Sequence, residues 1–212
     1  FGILIENSEA FFKIENCFVF NSIMGIRLEY TKNGKIQNNN CTSNKFSGIY
    51  LYYSSNNTVS GNLVQSNNYF GISLLSSDMN NISQNIEKGN SNYGIHLQHH
   101  SENNLIIENI LYTGISLDGN NNNLSANIMN KCGLRISTGN TESFYSQNID
   151  TSNLINGKPL YYYVNGMDLG PTNFTNAGQL ILVSCDNSLI KNLNLSYSDT
   201  GITLINCGNN II

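Results

Sequence analysis

The chain has no tryptophan, only two prolines and only two arginines (Arg27 and Arg135) in 212 residues. Charged residues make up just 11% and the formal charge is -4, so the clustered Lys and Arg that a nucleic-acid surface needs are missing. No stretch reaches the ~18 consecutive apolar residues of a membrane-spanning helix. No charged-then-apolar leader opens the chain. The five cysteines (Cys17, Cys41, Cys132, Cys185, Cys207) form no CxxC pair and no Cys/His metal spacing, and their odd number argues against a complete disulfide framework. Cys17 and Cys41, like Cys185 and Cys207, stand about one repeat apart and can stack on neighbouring turns; free thiols serving as small core residues are expected, with a disulfide in one pair as the alternative.

What abounds is asparagine, forty residues of it, beside 18 glycines. Both accept left-handed backbone, and Asn competes for backbone hydrogen bonds, so this composition suits tight turns better than helices. Hydrophobic residues at 40% are too many for a disordered chain of such low charge. Six N-x-S/T sequons, at Asn40, Asn56, Asn81, Asn123, Asn173 and Asn194, are about what so much Asn, Ser and Thr produces by chance.

Internal periodicity is the strongest signal. The phrase G-I-x-L opens at Gly2, Gly25, Gly48, Gly71 and Gly94, always 23 residues apart. Gly114 and Gly133 follow at 20 and 19, and after an interval of 45 come Gly178 and Gly201, again 23 apart. Within each unit the first apolar piece alternates with period two, as on a strand. A second piece centres on Val59, Ile82, Leu105 and Leu189, and a third on Leu63, Ile86 and Leu193. Linkers of two to six Asn, Ser and Gly are too short for helices. Three short strands per unit predict an all-β parallel β-helix with ~23-residue coils stacked at the ~4.8 Å strand spacing. Leucine-rich repeats share the period but need a helix-like return, whereas here the return is polar and carries further apolar pieces.

The asparagines fit such a stack. Asn57, Asn80, Asn103, Asn123, Asn187 and Asn210 share one repeat position, and Asn16, Asn39, Asn62, Asn85 and Asn192 another, which predicts amide ladders along the axis. Residues 137–177 break the rhythm and contain both prolines, Pro159 and Pro171. Asn156-Gly157 and the following Lys158–Val164 read as a turn and a strand, so an irregular coil or a hairpin insertion is expected there. The whole of 1–212 reads as one β-helix domain. Phe1 and Ile212 fall inside repeat units, which predicts a piece of a longer polypeptide or end-to-end self-association of uncovered coils.

The G-I-x-L…N-x-I…N-x-I coil, with the phrases Asn156-Gly-Lys-Pro-Leu-Tyr-Tyr-Tyr-Val-Asn165 and Ala177-Gly-Gln-Leu-Ile-Leu-Val183, resembles parallel β-helix proteins of the carbohydrate-binding and sugar-hydrolase (pectin-lyase-like) type. Within them it is most similar to NosD-like surface and periplasmic proteins, many of them archaeal. The resemblance implies right-handed winding and an extracellular, cell-surface or periplasmic location. It also supplies patterns to test. Lyase-like sites need acidic clusters with a basic partner, and polygalacturonase-like sites need Asp pairs on adjacent coils. Here the six Asp (Asp78, Asp118, Asp150, Asp168, Asp186, Asp199) fall at different repeat positions. NosD-like proteins are associated with copper, and imidazole suits copper. Yet His96, His99 and His100 lie in one coil with no histidine on the next, and the four methionines are scattered, so no metal site and no cofactor are expected. Glu6 and Glu29, with Arg27 nearby, form the best carboxylate pair and read as a solvated ion cluster.

Two outward columns run along the first strands: Arg27, Tyr50, Ser73, His96, Ser116, Arg135 and Glu29, Tyr52, Leu75, Gln98, Asp118, Ser137. Tyrosine rings cover the apolar face of a sugar while amide, carboxylate and guanidinium groups bond its hydroxyls. Tyr50, Tyr52, His96, Gln98, Asp118 and Arg135 are therefore the candidate carbohydrate-binding face. The expected function is a non-catalytic extracellular scaffold presenting that face to a polysaccharide, surface glycan or protein. A polysaccharide lyase, hydrolase or epimerase is the first rival, and a NosD-like periplasmic copper-associated protein the second.

Overall fold

A computed structural model, described over residues 1–137 and 141–212, shows a parallel β-solenoid with three sheets and two 3-10 turns as its helical content among the described residues. The first sheet stacks the seven G-I-x-L strands from Ile3–Glu6 to Leu134–Ile136 in strict register, Ile3 beside Ile26, Ile49, Ile72 and Ile95. The second stacks seven short strands from Phe12–Glu15 to Asn148–Ile149. The third has ten, beginning with Phe18–Phe20.

Period two explains the core. Ile26, Leu28, Ile49, Leu51, Ile72 and Leu74 face inward and are wholly buried, as are Ile36, Val59 and Ile82 from the second sheet and Cys41 and Val64 from the third. Each such side chain contributes about 1.5–3 kcal/mol. All five cysteines are free thiols, and burial pushes Cys41 and Cys132 up to about 12.

Asparagine has two jobs. Half of the non-glycine residues with positive φ among those described are Asn, at the corners between strands. The rest of its work is in buried ladders. Asn39, Asn62, Asn85, Asn109, Asn127 and Asn153 form one, each amide nitrogen donating along the axis, as Asn62 Nδ2 does to Asn85 Oδ1 at 2.9 Å. Asn57, Asn80, Asn104 and Asn122 form a second. A third, Asn44–Asn67–Asn90, was not expected.

The structure corrects several placements. One extra residue enters at His99 and His100, both left-handed, so Ile82 pairs with Ile106 rather than Leu105, and Asn104 rather than Asn103 takes the ladder. One coil further, the ladder rung is Asn122, while Asn123 is exposed. In the third strand Leu63 is only partly buried and Ile86 is exposed; the inward residues are Val64 and Glu87. Asn16 stands at an exposed left-handed corner outside its ladder. The strands Gln179–Val183 and Ile202–Ile205 extend the third sheet, not the first. The cause is a reversal at Asn156-Gly157: Lys158–Val164 runs antiparallel to Leu154–Ile155, and the later strands follow it. Leu193 lies in no strand.

Glu87 stands where Val64 and Leu111 stand in neighbouring coils, yet is buried to 1% exposure. Its coil is followed by a shortened third corner: nine residues run from Ile86 to Ile95, but five from Ile110 to Ile115. The shortened corner lacks the Asn that would continue the third ladder. Glu87 replaces it, accepting from Asn90 Nδ2 (2.6 Å), Thr113 Oγ1 (2.7 Å), Thr113 N and Tyr112 N (both 2.9 Å). A Cβ on Gly94 would come within 2.5 Å of the Glu87 carboxylate, so this approach requires glycine.

Candidate functional site

The outward side chains of the first sheet form two columns in register: Leu4, Arg27, Tyr50, Ser73, His96, Ser116, Arg135, and beside it Glu6, Glu29, Tyr52, Leu75, Gln98. Between Tyr50 and Ser116 the first column is roofed over, while Leu4 and Arg135 at its ends are exposed. Tyr50 keeps only 7% exposure, between Phe46 (ring centroids 6.4 Å apart), Tyr52 (6.3 Å) and the Arg27 guanidinium. Its phenol is pushed up by burial, which Arg27 opposes. Ser73 is covered by Gln98, whose Nε2 donates to Ser73 Oγ at 2.9 Å. His96 packs against Phe70 (4.2 Å) and Tyr93 (5.3 Å), its Nδ1 buried with no partner among the described residues. Burial lowers its imidazole to about 4; Asp118 works against that shift and His99 with it.

The roof is built by the residues just before each opening glycine. Phe46, Tyr69 and Phe70 stack on one another at 4.3–5.8 Å and lean over the strands. Arg27 carries Glu29 at 2.8 Å and lies over the rings of Phe1, Tyr50 and Tyr52 at 4.9–5.5 Å. The Glu6–Glu29 pair is in register, with Glu29 held by Arg27 and Glu6 open to solvent.

Two tyrosines escaped the sequence reading. Tyr30 and Tyr53 follow the first strands at the corner where Asn7 sits one coil earlier, and both take φ near +50°. A bulky side chain there costs about 1 kcal/mol or more, which Asn and Gly avoid. Both remain about half exposed. They stack on each other (5.4 Å, planes 12° apart), and Tyr52 meets both edge-on at 5.6 and 4.6 Å. The signal was available in principle, as a tyrosine 23 residues from a tyrosine at an asparagine position, but it lies outside the alternating strand pattern.

Of the six candidate residues, Tyr50 and Tyr52 are in contact, His96 and Gln98 lie two coils on, and Asp118 reaches back to His99 N at 3.3 Å. Arg135 donates to Tyr93 Oη at 3.1 Å across two further coils. They share one face, with Tyr30, Tyr52 and Tyr53 offering its open rings. Such a surface can stack sugar rings and bond their hydroxyls.

Residues 1–123 match the family model of the periplasmic copper-binding protein NosD. No curated protein matches the chain. Among solved structures it is similar to the periplasmic alginate epimerase AlgG (TM-score 0.55, 16% identity, 98% of this chain and 47% of that one). A double mutant of that epimerase gives a TM-score of 0.57 at 15% identity, over 96% of this chain and 51% of that one. The DFA-IIIase of Arthrobacter chlorophenolicus A6 in complex with GF2 follows at 0.47 and 15%, over 98% and 49%. The chain thus spans about half the length of the solved structures it resembles, and the likeness is one of fold.

Proposed function

The chain belongs to the NosD family, and from that premise we propose that it is an exported β-helix domain that holds a polysaccharide along the outer face of its first sheet, without itself altering the chain it holds. The observation that carries this reading is the tyrosine cluster Tyr30–Tyr52–Tyr53. Its three rings pack on one another at 4.6–5.6 Å while Tyr30 and Tyr53 stay about half exposed, an arrangement suited to stacking on sugar rings. From there the face continues through Gln98 and Asp118 to Arg135, with Tyr50 supporting the rings from beneath and His96 packed under Phe70 and Tyr93. An extracellular, cell-surface or periplasmic location accords with the family's description and with the periplasmic epimerase it resembles. No helix among the described residues is long and apolar enough to cross a membrane.

Copper, which the family description implies, does not fit the donor set of this chain. Among the described residues no three His, Cys, Asp or Glu side chains converge. His96 is turned into Phe70 and Tyr93, and burial keeps Cys41 and Cys132 as thiols rather than the thiolates a soft metal takes.

The test is retention in affinity gels and glycan arrays, comparing wild type with Tyr52→Ala/Tyr53→Ala and, as control, Tyr197→Ala on an exposed ring elsewhere. Binding of at least one glycan, weakened at least tenfold in the double variant and unchanged in the control, is expected, since each stacked ring is worth roughly 1 kcal/mol. No retained glycan, or retention indifferent to Tyr52 and Tyr53, removes the face. Unsaturated or reducing-end products appearing in the same incubations would replace a scaffold with an enzyme.

A further inference from the structure

The shortened third corner leaves a recess of about 730 Å³, away from the tyrosine cluster. It is lined by Tyr93, Tyr112 and Thr113 and by Asp199 and Thr200, which the segment after Ile190 contributes. That segment is anchored on the hairpin: Lys158 Nζ donates to Asn194 O (2.7 Å) and Asn156 Nδ2 to Ser196 O (2.9 Å). The floor is the edge of the core, with Leu134, Ile136, Phe144 and Ile205. Gly114, at φ +82°, lets the two sides approach, with Asp199 Oδ2 only 3.6 Å from the place a Cβ would occupy.

Both signs of charge line this recess. Lys131 and Arg135 line it together with Asp199, yet Asp199 forms no ion pair with either among the described residues. The Lys131 ammonium and the Asp199 carboxyl have no hydrogen-bond partner there. Partial burial of the carboxyl group, on a residue that is otherwise exposed, pushes Asp199 up, and Arg135 partly offsets it.

We propose that this recess binds a small zwitterion with an apolar body, of which an aromatic α-amino acid is the simplest member. Its carboxylate meets Lys131 and Arg135, its ammonium meets Asp199 between the rings of Tyr93 and Tyr112, and its side chain lies on the apolar floor. Each of the three features finds a partner only in a ligand carrying both charges and an apolar group. A recess of this volume is in the ordinary range for small-molecule sites, roughly 300–1,000 Å³.

Isothermal titration calorimetry tests this with L-phenylalanine, 3-phenylpropionate (no ammonium), phenylalanine amide (no carboxylate) and galacturonate. Phenylalanine is expected to bind with a dissociation constant of about 1 mM or tighter, and the other three at least tenfold more weakly. Asp199→Asn should weaken phenylalanine about tenfold and leave phenylpropionate unchanged; Lys131→Met should weaken phenylalanine and phenylpropionate alike. Both positions are exposed, and matching circular dichroism and melting curves confirm folding. Absence of phenylalanine binding, phenylpropionate or galacturonate binding as tightly, or indifference to Asp199 overturns the proposal. The two variants leave Tyr30, Tyr52 and Tyr53 untouched, and Arg135, which borders both the recess and the outer face, is kept in each of them.

Discussion

Replacing Glu87 by Leu puts an aliphatic side chain where neighbouring coils carry Val64 and Leu111, and it should nonetheless destabilise the protein. A buried carboxylate that is merely tolerated is often improved by a hydrophobic residue, because the desolvation penalty disappears. Glu87 differs in what it satisfies. Its Oε2 accepts from Tyr112 N and Thr113 N, and its Oε1 from Asn90 Nδ2 and Thr113 Oγ1. With leucine there, two backbone donors and the last amide of the third ladder lose these acceptors. Each buried donor left unpaired costs about 1–3 kcal/mol, so after relaxation and the relief of carboxylate desolvation a net loss of about 2–4 kcal/mol is expected. Glu87→Gln should be nearly as harmful, since in either amide orientation an NH₂ faces donors. Asn90 cannot turn over to compensate, because its own oxygen already accepts from Asn67 N and Nδ2. Urea unfolding followed by circular dichroism gives the loss, and amide exchange at Tyr112 and Thr113 localises it. A Glu87→Leu protein as stable as wild type, with those two amides still protected, would refute the reasoning.

Asn62→Ala should cost about 2–4 kcal/mol in the same assay, because it strips acceptors from Asn39 and a donor from Ile36 O, whereas Asn209→Gly, at an exposed left-handed corner, should change little. Tyr53→Asn should leave stability unchanged or raise it by up to about 1 kcal/mol while impairing glycan retention; a large loss of stability would mean the ring serves the fold instead. The pH dependence follows from His96, neutral in the folded state down to about pH 4 but protonated near 6.5 when unfolded. The unfolded state then binds the extra proton, so this contribution is complete above pH 6.5 and falls away as pH drops towards 4. Allowing for partial exposure it amounts to about 1–3 kcal/mol. His96→Phe should flatten that window, and a wild-type imidazole titrating near 6.5 by NMR would contradict it.

Fold and function differed in how much of each could be read beforehand. The G-I-x-L period specified the first sheet to the residue, because a buried strand admits no slip. What escaped it were events that spacing alone does not encode. An extra residue at His99 and His100 shifted Leu105 and Asn103 out of place, since two left-handed residues absorb an insertion silently. Glu87 drew no notice beside Ile86, because the missing ladder Asn that draws it inward is an absence in the following coil. The last strands joined the third sheet because a two-residue turn at Asn156-Gly157 reverses the chain before the motif resumes. On the candidate face the strand register aligns Arg27 to Arg135 and Glu29 to Gln98, but the roof of Phe46, Tyr69 and Phe70 and the corner rings of Tyr30 and Tyr53 lie outside the strands. Tyr50 was consequently assigned more exposure than it has.

The most direct measurement of the central proposal is the NMR spectrum of tyrosine-labelled protein titrated with an oligosaccharide retained in the affinity gels. Ring resonances of Tyr30, Tyr52 and Tyr53 should shift together and saturably, while those of Tyr161, Tyr163 and Tyr197 stay in place. Shifts confined to the latter group, or none at saturating ligand, would contradict the account.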